Sequence, residues 1–245
     1  MPYDMNKIKF QTYSWVYGTT SFRVSELKYK IEKQLLLIED LRTLYPESDW
    51  KELQGVYFDL LVEAELSKDS AKEIEKDARQ KTSSLKDLGL VTEDRKMTPV
   101  GKLVLETTLD RDNIKFDNIF SLRGDSYLYF KQFLKIEFSK NSDSSYNSFL
   151  INPFFALIYS IVKLGSVSND FFNLLLPIQK DFTELKGLIN SFIANDGELD
   201  IQQILLDKIY SMENYQNALK YFLENNKNQQ TFETVFLNMK GGKFD

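Results

Sequence analysis

The sequence contains no cysteine and no histidine among its 245 residues. Without cysteine there are no disulfides, cysteine-ligated zinc sites or thiol nucleophiles. Without histidine the Ser-His-Asp and Cys-His nucleophilic devices are excluded as well. Carboxylate and lysine chemistry, with or without magnesium, is what remains for catalysis. Glycine and proline are scarce, at 10 and 5, and that scarcity favours helix over sheet. No apolar run approaches the roughly 20 residues that span a bilayer. The N-terminus also lacks the apolar core of a signal peptide. A cytoplasmic setting with no membrane partner is expected.

What is abundant is aromatic: 19 Phe and 13 Tyr, much of it at helical spacing and therefore read as core. The net charge of −5, from 31 cations and 36 anions, argues against a simple nucleic-acid binder, whose domain is normally basic. The balance reverses locally. Between Lys76 and Lys86 four cations (Lys76, Arg79, Lys81, Lys86) stand against one anion, Asp77. One face of the molecule can bind DNA even though the whole is acidic.

Along the chain, Tyr17 to Arg23 reads as a polar loop. From Ser25, Leu27, Ile31, Leu35, Ile38 and Leu41 follow helical steps that Tyr45-Pro46 closes. Asp49 starts a second helix, with Glu52 placed for a capping box and Leu53, Val56, Leu60 and Ala64 as its stripe. A third helical segment begins near Ser70 and a fourth near Gln80, divided around Arg79. Gly89 is placed as the left-handed cap of the fourth. Leu90-Val91-Thr92 and Lys96-Met97-Thr98 suit a two-stranded hairpin, and Thr98-Pro99 a helix start. Aromatic helices cover Phe116 to Leu134, and residues 140–148 are the linker candidate. Further helices open at Asn152-Pro153, Ser168 and Asp181, and a long one runs from Leu199 to Glu224.

These readings define a mainly α fold of winged helix-turn-helix subdomains with a short β-hairpin wing. Residues 1–48 form an N-terminal arm and helix, and residues 49–140 a first winged-helix subdomain with following helices. Residues 149–238 form a second helical, winged-helix-like subdomain. Residues 239–245 read as the start of a linker to a C-terminal domain outside the chain.

The segment from Asp69 to Glu106 carries the functional expectation. A helix with polar, cationic side chains faces a DNA groove, and a small hairpin beside it reaches the phosphates. Leu85 and Leu88 face inward, leaving Arg79, Lys81, Thr82, Ser83 and Lys86 as the exposed set. Lys76, Arg79, Lys81 and Lys86 would neutralise phosphates or bind guanine, and Gln80 would pair with adenine. Thr82 and Ser83 are short donors, Arg95 and Lys96 would lie on the backbone, and Thr19, Thr20, Ser21 and Arg23 would form a backbone-contacting arm. The competing reading of the same helix is a solvated surface face. Asp170 with Glu184-Leu185-Lys186 matches the acidic-x-Lys spacing of magnesium nucleases but falls in helical periodicity, not on adjacent strands. No catalytic or metal-binding residue is assigned.

Trp15, the Gly18-Thr19-Thr20-Ser21-Phe22-Arg23 loop, Trp50 with Gln54, and Asp77-Ala78-Arg79 with Thr82 form the first part of an ordered string. Leu88-Gly89-Leu90, Met97-Thr98-Pro99-Val100-Gly101 and Asn152-Pro153-Phe154 complete it. Over residues 13 to 180 this string resembles the AlwI-type restriction endonucleases and, through them, the wider FokI-like group that cuts outside an asymmetric site. The resemblance implies a helical N-terminal half that reads a short duplex sequence, joined to a magnesium-dependent nuclease domain. Carried over, Arg23, Arg79, Lys81, Thr82 and Ser83 contact DNA. The expected function is thus recognition of double-stranded DNA by part of a type II restriction or nicking endonuclease. A monomer suffices for recognition, and a dimer or second subunit for cleavage. No cofactor is expected in this chain, and Mg2+ is expected for the missing nuclease domain. The alternative is a winged-helix transcriptional regulator or protein-interaction module, in which the Leu199–Phe222 helix binds an effector or a second copy.

Overall fold

The structure is a computed structural model describing residues 13–17, 22, 24–68, 72–109, 123–139 and 148–224. Thr19, Thr20, Ser21 and Arg23 lie outside the described residues, as do most of the linker candidate and the C-terminal tail. The described residues are mainly helical, with isolated β-bridges and no strand. None of their helices is long and apolar enough to cross a membrane. The chain divides into two compact units, residues 17–136, and residues 1–16 with 137–245.

In the unit of residues 17–136, α1 (Leu27–Leu44) and α2 (Trp50–Glu63) are followed by α3 (Ile74–Asp87). After them come α4 (Pro99–Leu109) and α5 (Gly124–Lys135). The stripe of α1 turns inward as its spacing requires, burying Ile31, Leu35, Ile38 and Leu41. This helix, grouped with the N-terminal arm by sequence, packs against α2, α3 and α4 in the same core. In α2 the buried face is Trp50, Leu53, Tyr57, Phe58 and Leu61, while Val56 is exposed. The three aromatic side chains bury more apolar area than Val56 offers, and they set the phase of the helix. The expected capping box does not form, since the Asp49 side chain makes no capping hydrogen bond.

The division expected around Arg79 is absent, and α3 is one continuous helix. Ala78, Thr82 and Leu85 recur at four- and three-residue steps on its buried side, and nothing at Arg79 breaks that period. Its C-terminus closes as a Schellman motif. Gly89, at φ 66°, donates its N–H to Lys86 O, and Leu90 donates to Leu85 O at 2.9 Å.

The hairpin expected over 90–98 is reduced to one antiparallel bridge, Val91 with Met97. Thr92 N–H donates to Lys96 O at 2.8 Å, and Thr98 N–H to Leu90 O at 3.1 Å. Thr98 then caps α4, its Oγ1 accepting from Gly101 N–H at 3.0 Å while donating to Gly89 O. The start of α4 lies so close to the end of α3 that a Cβ on Gly101 would sit 2.0 Å from Leu90 O.

The other unit holds α6 (Pro153–Leu164), a π turn over Phe171–Leu175 running into a 3-10 turn over Leu176–Ile178, and α7 (Phe182–Ala194). It ends with α8 (Ile201–Tyr210) and α9 (Glu213–Glu224). The long helix expected from Leu199 is therefore broken at Ser211 and Met212. Phe138 pairs with Ile151 in an antiparallel bridge, and Leu150 with Asp181 in a parallel one. Trp15 joins this unit by donating its N–H to Pro177 O and its indole Nε1–H to Gln179 O at 3.0 Å.

Candidate nucleic-acid interface

Because Ala78, Thr82 and Leu85 hold α3 to the core, its opposite face follows from helical phase. Lys76, Arg79, Gln80, Ser83 and Lys86 line one open groove of about 560 Å³, together with Trp50, Glu93 and Arg95. Arg79 and Gln80 are exposed and make no side-chain hydrogen bond or ion pair with the other described residues. Lys76 pairs with Glu73 at 2.6 Å, and Lys86 with Glu93 at 3.3 Å. Both pairs are exposed and are worth at most about 1 kcal/mol each. A phosphate can displace either carboxylate at small cost.

Three expected contacts fall elsewhere. Thr82, expected on the exposed face, is fully buried. It lies one turn before Leu85 and shares its inward side, with Oγ1 donating to Ala78 O at 2.9 Å. Arg95, expected on the DNA backbone, is only 6% exposed. Its guanidinium stacks on the Trp50 ring, 5.2 Å from the centroid. From there it donates Nε–H to Thr82 Oγ1 at 2.9 Å and Nη1–H to Glu93 O. Lys81 is half-buried and turns away from the groove, its Nζ donating to Leu66 O at 3.1 Å. Lys96 is exposed on the turn, as expected.

The turn over 92–96 is held from its other side as well. Arg42, in the last turn of α1, donates to the carbonyls of Asp94, Arg95 and Ser48. Sequence reasoning missed Arg42, because a cation near a helix C-terminus carries no signal of a partner 52 residues away. Burial lowers the pKa of Arg95, and the nearby charges of Glu93, Asp87 and Asp94 oppose that shift. Burial raises the pKa of Tyr57 out of the working range, with the Arg95 charge acting the other way. The guanidinium and a neutral phenol therefore share the interior beside Trp50.

Of the acidic-x-Lys set, Asp170 is exposed before the π turn and makes no side-chain cap there, while Glu184 and Lys186 lie on α7. Asp181 caps α7, accepting from Thr183 and Glu184 N–H. Glu184 accepts from Lys180 N–H and from Lys208 Nζ, both at 2.7 Å, and Lys186 is exposed on the same helix. With Glu184 so engaged, and with no cluster of three or more metal-ligating side chains among the described residues, these residues do not fit a magnesium ion.

α3 thus presents a cationic face with Ser83 beside a clamped turn, on a mainly helical framework. A family model described as AlwI restriction endonuclease matches residues 86–238, more than half of the chain, and the chain belongs to that family. Restriction endonucleases act on DNA, so DNA is the partner that membership implies. The match contains the Leu88-Gly89-Leu90, Met97 to Gly101 and Asn152-Pro153-Phe154 motifs, whereas Trp15, Trp50 and Arg79 precede it. No curated protein and no solved structure matches the chain.

Proposed function

We propose that the unit of residues 17–136 reads duplex DNA for a type II restriction or nicking endonuclease that cuts at a distance from an asymmetric site. In this reading α2, α3 and the bridged turn act as a winged helix-turn-helix whose wing is pared down to the Val91–Met97 pair. The observation that carries it is the groove itself. Lys76, Arg79, Gln80, Ser83 and Lys86 line it beside the turn that presents Lys96. Arg79 and Lys86 have the chemistry for guanine or phosphate, and Gln80 that for adenine. Membership of a restriction endonuclease family favours this over a transcriptional regulator. One chain suffices for recognition. Cleavage with Mg2+ belongs to a nuclease domain other than the described residues.

The test is a mobility shift with the 245-residue chain in the absence of magnesium. Duplexes enriched from a random pool should bind far more tightly than the unselected pool. Arg79→Ala should cost about 1–3 kcal/mol if the residue reads a base, and should weaken all sequences alike if it meets a phosphate. Equal affinity for selected and random duplexes would overturn the reading. Magnesium-dependent cutting by this chain, abolished in Glu184→Ala, would overturn the division of labour.

A further inference from the structure

Arg95 stands at the tip of the turn in the left-handed region, at φ 57°. That conformation costs a residue with a Cβ roughly 1–2 kcal/mol and costs glycine nothing. An arginine there needs a compensating interaction, and the structure supplies one. Its side chain leaves the exposed tip, passes inward and ends on Trp50 and Thr82. Arg42 holds the outer carbonyls of the same turn. The turn is thereby tied to α1 through Arg42, to α2 through Trp50 and to α3 through Thr82. Lys96 follows directly in sequence and is exposed. It can meet the same duplex as Arg79 only if the turn and α3 keep one spacing.

We infer that Arg95 is a positioning residue for DNA reading: stacked on Trp50 and bonded to Thr82, it holds the 92–96 turn at a set distance from the exposed face of α3. The inference rests on the DNA-reading function proposed above and adds to it how the reading surface is kept in register. It also separates two roles that one arginine can have. A phosphate-contacting arginine is replaceable by lysine, because a point charge satisfies a phosphate. A clamping arginine is not, because only the planar fork stacks on an indole while bonding two acceptors.

The experiment uses the full 245-residue chain, duplexes that the wild type enriches from a random pool, and the unselected pool itself. For each variant two quantities are read: the ratio of affinities for selected over random duplex, and the slope of log affinity against log salt. Arg95→Lys and Thr82→Val should each lower the ratio roughly tenfold. The salt slope should stay within about half a unit of wild type, since no phosphate contact is removed. Thr82→Ser restores the acceptor and should recover the ratio. A loss of fold stability alone would lower both affinities together and leave the ratio where it was.

Wild-type behaviour of Arg95→Lys, with a slope reduced by about one in Arg95→Met, would mark a direct phosphate contact and overturn the inference. If Arg95→Lys does not fold, the Thr82 pair decides: equal ratios for valine, serine and wild type overturn the inference. A wild-type chain that enriches nothing from the pool overturns the DNA reading itself, and the inference falls with it.

Discussion

The two units each present a helix of similar length on a buried stripe, α3 in one and α7 in the other, and the two differ in where their charges are engaged. At α7 the carboxylates serve the helix itself. Asp181 and Glu184 accept from the N–H groups of Lys180, Thr183 and Glu184, and Lys208 closes the set. At α3 the residue before the helix, Glu73, makes no side-chain cap, and the exposed face carries Lys76, Arg79 and Lys86. The exposed face of α7 offers Thr183, Lys186, Gly187, Asn190 and Ser191, with one cation among them. Amphipathic pattern alone does not make a helix a reader of DNA. Under the proposed DNA-reading function, cations facing solvent beside a turn bonded by Arg42 and Arg95 are what distinguish α3.

The sharpest way to break α3's surroundings is Gly101→Ala. The added Cβ would lie 2.0 Å from Leu90 O, a backbone atom that cannot rotate away. Separating α4 from the end of α3 should cost about 3 kcal/mol or more, seen as a lowered denaturation midpoint. If α3 reads DNA through the spacing argued above, selected-duplex binding should be lost in the same variant. Near-wild-type stability would show that the close approach of α4 to Leu90 is not what seats α3.

Next in size is the contrast in binding between the two helices. Arg79→Ala is expected to lower affinity for a selected duplex by about 1–3 kcal/mol, and Lys186→Ala by less than about 0.5 kcal/mol. Mobility shifts on one duplex measure both. Equal losses would place α7 on the DNA as firmly as α3 and would dissolve the distinction drawn here.

Much of this arrangement is legible in sequence, and the misses have identifiable physical causes. The stripe of α1, the Asn152-Pro153 start of α6, the start of α7 at Asp181 and the left-handed Gly89 are each placed by the sequence, and the structure keeps all four. The exposed set on α3 is read correctly at Arg79, and Gln80, outside that set, is exposed beside it. Thr82 is missed because a hydroxyl reads as a surface group, although its spacing from Leu85 places it inside once Ala78 and Arg95 satisfy it. Arg95 is missed for a deeper reason. Its inward path depends on a left-handed backbone at a non-glycine tip and on Trp50, and sequence spacing encodes neither. The single broken point at Ser211 and Met212 is hidden because the apolar residues on both sides keep helical phase.

A smaller effect compares the internal ion pairs of the two units. Asp125, only 3% exposed, is bound by Lys28 and lies near Arg123. Burial acts to raise its pKa, but the hydrogen bonds from Lys28 and Ser126 N–H and the charges of Lys28 and Arg123 outweigh that and hold it below the usual range. A depressed folded pKa contributes stability that is present above the unfolded value, about 3.9, and is lost as pH falls through the lower folded value. Wild type should therefore lose stability more steeply below about pH 4 than Asp125→Asn does. At neutral pH, Asp125→Asn should cost about 2 kcal/mol, less than a fully buried pair because Lys28 is partly exposed. Glu184→Gln, whose carboxylate is itself partly exposed, should cost about 1 kcal/mol. Parallel pH-dependent melts of the two variants and wild type rank the pairs.

The smallest expected effect has the opposite sign. Gly187 lies inside α7 and Gly55 inside α2, and a Cβ at either would meet nothing within 4 Å. Glycine in a helix interior costs about 0.5–1 kcal/mol relative to alanine, through the backbone freedom it surrenders on folding. Gly187→Ala and Gly55→Ala should each add about that much stability, read as a higher denaturation midpoint, because neither fills occupied space. The two positions also probe the contrast between the units from the binding side. Both lie outside the groove of α3, so a DNA-reading α3 predicts that both variants bind a selected duplex as wild type does. If Gly187→Ala is stabilising yet weakens selected-duplex binding while Gly55→Ala does not, then a duplex approaches α7 too closely for a methyl group. In that case the smooth face of α7, and not the cationic face of α3 alone, takes part in reading.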